Sequence, residues 1–66
     1  MNITVNGQAR EIETNSTLQQ LLVALGFDGK PVVIELNREA IFPRDFATSI
    51  MPKDATIEIV VLAAGG

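Results

Sequence analysis

The chain opens on alternation: Ile3 and Val5 are interleaved with Asn2 and Thr4, the period-two pattern of a half-buried strand. Asn6-Gly7 follows, a pair that tolerates positive φ and closes a two-residue hairpin. The return strand, about 8–13, has Ile12 as its main apolar residue. It belongs at or near a sheet edge, where Arg10, Glu11 and Glu13 discourage further pairing. The pattern then changes period. Leu18, Leu21, Leu22 and Leu25 stand at i, i+3, i+4 and i+7, one leucine stripe along a helix. Ser16 with Gln19 three residues on fits a capping box, and Gly26 stands where a left-handed C′ residue ends the helix, with Phe27 free to fold back.

Alternation returns at 31–36, with Val32, Ile34 and Leu36 on one face and Val33 and Glu35 on the other. Asn37-Arg38-Glu39 turns the chain into a short extended piece, 40–42, stopped by Pro43. Residues 44–51 have no clean period and are long for a loop, which predicts a helical turn anchored by Phe46 and Ile50. Pro52 to Ala55 reads as a turn. A last strand over 56–62 sets Ile57, Ile59 and Val61 inward and Glu58, Val60 and Leu62 outward. One helix among four or five strands covers one face of a sheet. The expected fold is therefore α+β, a ubiquitin-like β-grasp in which a mixed sheet wraps one helix. The expected organisation is a globular body over 1–62 and a short tail over 63–66.

Composition narrows the chemistry. Sixty-six residues, 47% of them hydrophobic, make one small domain with an aliphatic core, since Phe27, Phe42 and Phe46 are the only aromatics. The absence of Cys and His leaves no thiolate, no imidazole base and no soft metal ligand, so no metal and no bound cofactor are expected. Five basic residues, scattered as Arg10, Lys30, Arg38, Arg44 and Lys53, against eight acidic ones argue against a nucleic-acid partner. No apolar run approaches a membrane span and no leader pattern precedes the first strand, so a soluble cytoplasmic protein is the default expectation. Carboxylates such as Glu11, Glu13, Asp45 and Asp54 read as solvated surface. The stretch from Gly26 to Lys30 follows a helix instead of opening one, so it is a cap and turn, not a phosphate loop.

What remains is the sequence Ala63-Ala64-Gly65-Gly66, whose final glycine offers a carboxylate on a thin tether. That predicts a protein acted upon at Gly66 by other enzymes, with no catalysis of its own. Val60 and Leu62 point away from the helix-covered face just before the tail, beside Val33 if the third and last strands are neighbours. They form a candidate docking patch for a partner, with Phe46 its further member; the alternative is that the segment around Phe46 folds over them.

Asn6-Gly7, the leucine helix ending at Gly26, Val33 to Asn37 followed by Ile41-Phe42-Pro43-Arg44, and Asp54 to Val60 leading into Gly65-Gly66 together resemble the ThiS family. These are the ubiquitin-like sulfur carriers of thiamin (thiazole) biosynthesis, and the resemblance covers essentially the whole chain. Two positions depart from it: many relatives have a third glycine where Ala64 stands, and a glycine commonly follows the asparagine where Arg38 stands here. The resemblance implies that an adenylyltransferase of the ubiquitin-activating type consumes ATP to adenylate Gly66. It further implies that a protein persulfide, from a sulfurtransferase or cysteine desulfurase, converts the adenylate to a thiocarboxylate, and that thiazole synthase takes the sulfur. Two alternatives stay open: the small subunit of molybdopterin synthase, whose chains tend to be longer, and a ubiquitin-like interaction or conjugation module.

Overall fold

The computed structural model describes residues 1–63. Its elements run β1 (Asn2–Val5), β2 (Gln8–Glu11), α1 (Leu18–Leu25), β3 (Val32–Leu36), β4 (Glu39–Ile41), a 3₁₀ turn (Pro43–Asp45) and β5 (Thr56–Val61). The five strands form one sheet in the order β2-β1-β5-β3-β4, with β1 and β5 parallel and every other pair antiparallel. This is the mixed sheet around one helix expected of a β-grasp. Wholly exposed β2 lies at the edge its polar sequence calls for.

Both hairpins are closed by two residues of positive φ: Asn6 (48°) with Gly7 (82°), and Asn37 (49°) with Arg38 (70°). Such turns match the right-handed twist of the strands they join. The two asparagines also extend the pairing of central β5. The Asn6 side chain donates to the Ile59 carbonyl (3.1 Å) and accepts from the Ile59 amide (2.8 Å), carrying the β1–β5 ladder past the end of β1. Asn37 Oδ1 accepts from the Thr56 amide at 2.8 Å.

The core lies between the sheet and the helix. Ile3, Val5, Val32, Ile34, Ile57 and Ile59 point from the sheet onto Leu18, Leu21 and Leu22, with Phe46, Met51 and Ala55 closing the rim. Gly26 ends the helix at φ 80°, and the Phe27 amide donates to the Leu22 carbonyl at 2.9 Å. The helix start differs from expectation by one residue. Thr17, not Ser16, is the N-cap: the Gln20 amide donates to its hydroxyl, while Gln20 Oε1 accepts from the Thr17 amide at 2.8 Å. Both Ser16-x-x-Gln19 and Thr17-x-x-Gln20 satisfy the motif, and backbone pairing decides between them. Leu18 and Met51 donate to the Ser49 and Ser16 carbonyls, a bridge between Thr17 and Ile50 that holds Thr17 extended (φ −91°, ψ 164°), as a cap requires.

That bridge also organises residues 43–51. The segment contains the expected helical turn, but its anchors are Phe46 (5% exposed) and Met51 (1%), whereas Ile50 is 57% exposed. Pairing of Thr17 with Ile50 turns the Ile50 side chain outward and its neighbour Met51 inward. No helix among the described residues is long and apolar enough to cross a membrane.

Candidate functional site

β5 is the central strand and leads directly to the tail. Its alternation places Ile57 and Ile59 in the core and leaves Glu58 and Val60 on the open face of the sheet. Val60 lies directly opposite Val33 of β3, so the expected neighbourhood of Val33 and Val60 is present, 46% and 58% exposed. Val61 stands opposite Val32, in the inward phase, but is 43% exposed. The Leu62 amide donates to the Pro31 carbonyl at 2.9 Å, which holds the chain one step further in the sheet. Half-exposed Leu62 also borders a groove formed by Leu22, Val32, Pro43 and Phe46, at the boundary between the two sides of the sheet.

Phe46 is not available as a docking side chain. It is buried, and its segment folds onto the start of the helix: the Gln19 amide donates to the Phe46 carbonyl at 3.1 Å. Val60 and Leu62 are 58% and 49% exposed, so that segment does not fold over them, although Leu62 shares a groove with Phe46. Of the expected reactive residues, Ala64, Gly65 and Gly66 lie outside the described residues.

Sequence reasoning passed over Phe42. It is 62% exposed, the largest exposed fraction of any big hydrophobic side chain among the described residues, and its backbone is extended (φ −73°, ψ 146°). One step past the Ile34–Ile41 pair, the β3–β4 register sets it opposite Val33. Phe42, just past the end of β4, thereby continues the row of Val33 and Val60 on the open face. The alternation Ala40-Ile41-Phe42 carries this signal in sequence. The Arg44 guanidinium stands 4.9 Å from the Phe42 ring centroid, a cation–π contact at one border of the row. Next along the strands, Glu35 of β3 is paired directly with Glu58 of β5, both exposed. Among the described residues the sole ion pair is Arg44–Asp45 at 4.0 Å, and no group of His, Cys, Asp and Glu could hold a metal.

Among the described residues the site comprises an exposed apolar row on the open sheet face, bordered by Glu35 and Glu58, with Val60 on the strand that precedes the tail. The ThiS family model matches residues 3–66, tail included. The chain belongs to the ThiS family. Its fold is that of a ThiS thiamine biosynthesis protein from Geobacter metallireducens: the crystal structure superposes with a TM-score of 0.85 at 28% identity, covering all of both chains. The solution structure of a thiamine biosynthesis protein from that organism gives 0.79 over the whole of this chain and 88% of that one. Two thiazole synthases, from Magnetococcus marinus and Paramagnetospirillum magneticum, are 32% and 30% identical over 66 residues. The chain spans about a fifth of the length of these curated relatives.

Proposed function

We propose that this protein carries sulfur for thiazole formation in thiamin biosynthesis, on the carboxylate of Gly66. The observation that carries the reading is the ThiS family match running through Gly65 and Gly66. Relatives in which the same segment is part of a thiazole synthase favour thiazole formation over the molybdopterin alternative.

The chemistry follows from leaving groups. A carboxylate is a poor acyl donor because hydroxide leaves badly. An adenylating enzyme joins it to AMP, releasing pyrophosphate from ATP, and AMP is a good leaving group from the resulting mixed anhydride. The terminal sulfur of a protein persulfide displaces AMP. A thiol then cleaves the S–S bond of the acyl disulfide, and the thiocarboxylate remains on Gly66 for thiazole synthase to use. Catalysis belongs to the partners. The carrier supplies a tether and a docking body.

Physical magnitudes support that division. Residues 63–66 span at most roughly 13–14 Å when extended, enough to reach a buried nucleotide from a docked globule. Ordering them costs on the order of 1–2 kcal/mol each, so contact by the folded body must offset several kcal/mol. The exposed face bearing Val33 and Val60, with Leu62 at its margin, is the surface available for that contact. Deleting Gly66 should abolish ATP–pyrophosphate exchange by the organism's adenylating enzyme while leaving the circular dichroism unchanged. Exchange that survives the deletion would show that the reactive carboxylate is elsewhere.

A further inference from the structure

At Asn6-Gly7 the backbone can attack its own side chain with little hindrance. Asn6 alone among the asparagines precedes a glycine; Ile3, Ser16 and Arg38 follow the others. Glycine lacks the Cβ that would shield its nitrogen, and a Cβ built on Gly7 would meet nothing within 4 Å, so water and base reach the turn. Against this stands the hold on the Asn6 side chain. Its Nδ2 donates to the Ile59 carbonyl at 3.1 Å and its Oδ1 accepts from the Ile59 amide at 2.8 Å, both on β5. An amide fastened at both ends to a neighbouring strand cannot turn back onto its own chain until both bonds break.

We propose that Asn6 is a deamidation site gated by the seam between β1 and β5, so that protein whose seam has opened is marked permanently. With the clamp open, the Gly7 nitrogen gives up its proton to base and attacks Cγ of Asn6. The Cγ–Nδ2 bond breaks, ammonia leaves, and a cyclic succinimide remains. Water then opens the ring. Cleavage between the Gly7 nitrogen and Cγ gives aspartate; cleavage between that nitrogen and the original main-chain carbonyl gives isoaspartate, whose chain runs on through Cβ and Cγ. Both products replace the Nδ2 donor with a carboxylate, which cannot donate to the Ile59 carbonyl. Isoaspartate also lengthens a turn that closes on two residues of positive φ, 48° and 82°. The clamp is lost, and the loss falls on β5, the strand that precedes the tail. The other asparagine turn shows the converse arrangement. Among the described residues Asn37 is held by its Oδ1 alone, on the Thr56 amide, and Arg38 instead of glycine follows it. The less guarded asparagine has the less reactive neighbour.

The test ages the wild type and Arg38→Gly at mildly alkaline pH, each folded and in urea. Peptide mapping by mass spectrometry reads every asparagine, resolving the gain of about 1 Da and separating isoaspartate from aspartate. In urea, Asn6 should convert first in the wild type, and Asn6 and Asn37 at matching rates in Arg38→Gly. Folding should slow Asn6 by at least about tenfold, because two bonds must break before attack. In folded Arg38→Gly, Asn37 should overtake Asn6. Protein modified at Asn6 and refolded should melt lower than the wild type by roughly 4–8 °C. Equal rates at Asn6 in the folded and unfolded chain would overturn the gate, as would folded Arg38→Gly in which Asn37 is the slower of the two. Conversion in urea that spares Asn6 while Asn15 reacts would overturn the site. Modified protein with the wild-type melting temperature would overturn the claim that the clamp is lost.

Discussion

Adjacent residues Ile59 and Val60 lie on one strand and face opposite ways, so aspartate placed at each separates core from surface with the backbone held constant. Ile59 is 5% exposed, paired with Ile34 and clamped by the Asn6 amide. Ile59→Asp loses roughly 1.5–3 kcal/mol of side-chain burial and adds an unpaired buried carboxylate worth several kcal/mol more. At roughly 0.05–0.15 kcal/mol per residue, the whole domain is stable by only about 3–10 kcal/mol. The variant should therefore be unfolded or close to it at neutral pH. Burial disfavours the charged form and so raises the folded-state pKa of the new carboxyl. The penalty is full above the raised folded-state pKa, eases as pH falls from there toward the ordinary aspartate value, and vanishes below it. Val60→Asp, from a side chain already 58% exposed, should lose about 1–2 kcal/mol, chiefly strand propensity and repulsion from Glu58 on the same face. In a domain of this size that lowers the melting temperature by roughly 4–16 °C. Thermal melts followed by circular dichroism at neutral and mildly acidic pH measure both variants. A cooperative, wild-type-like transition for Ile59→Asp together with collapse of Val60→Asp would show that the two faces of β5 have been assigned the wrong way round.

Three further outcomes are expected. Arg38 holds φ 70° in its turn, a conformation costing an L-residue roughly 1–2 kcal/mol; Arg38→Gly should raise stability by about 0.5–1 kcal/mol after the glycine's added unfolded-state entropy, and a lower denaturation midpoint would contradict this. Thr17→Ala should cost about 1 kcal/mol as the loss of an N-cap, and Ser16→Ala clearly less, since the Ser16 hydroxyl only donates to the Glu13 carbonyl; urea titration showing the reverse order would restore Ser16 as the cap. Gly65→Ala should impair adenylation more than Ala64→Gly, because a Cβ meets the walls of a narrow channel whereas an added glycine brings only mobility; equal exchange kinetics would argue against that channel.

The regular elements were legible in the sequence because each carries its own period. The leucine stripe, the alternation of β3 and β5 and the two asparagine turns each fixed one element, and one helix against five strands left few architectures. Reading failed where tertiary pairing chooses between local solutions. Two overlapping capping motifs cannot be separated without the bridge from Thr17 to Ile50, and that same bridge exchanges Ile50 for Met51 as the core anchor. Phe46 was recognised as an anchor and also offered as a docking residue, and burial leaves it only the first role. Phe42 falls inside the expected extended piece 40–42, but its place beside Val33 on the open face requires the β3–β4 register, which no local pattern supplies. The Glu35–Glu58 pair requires the β3–β5 register, which no local pattern in either strand supplies.

The central claim is that sulfur travels on Gly66, and the intact mass of the protein isolated from cells growing without thiamin tests it most directly. Replacement of one carboxylate oxygen by sulfur should appear as a species about 16 Da heavier, with fragmentation placing the change on Gly66. Addition of thiazole synthase and its substrates should return that species to the unmodified mass. A protein that carries no such adduct under sulfur-replete, thiamin-free growth, or carries it on another residue, would contradict the account.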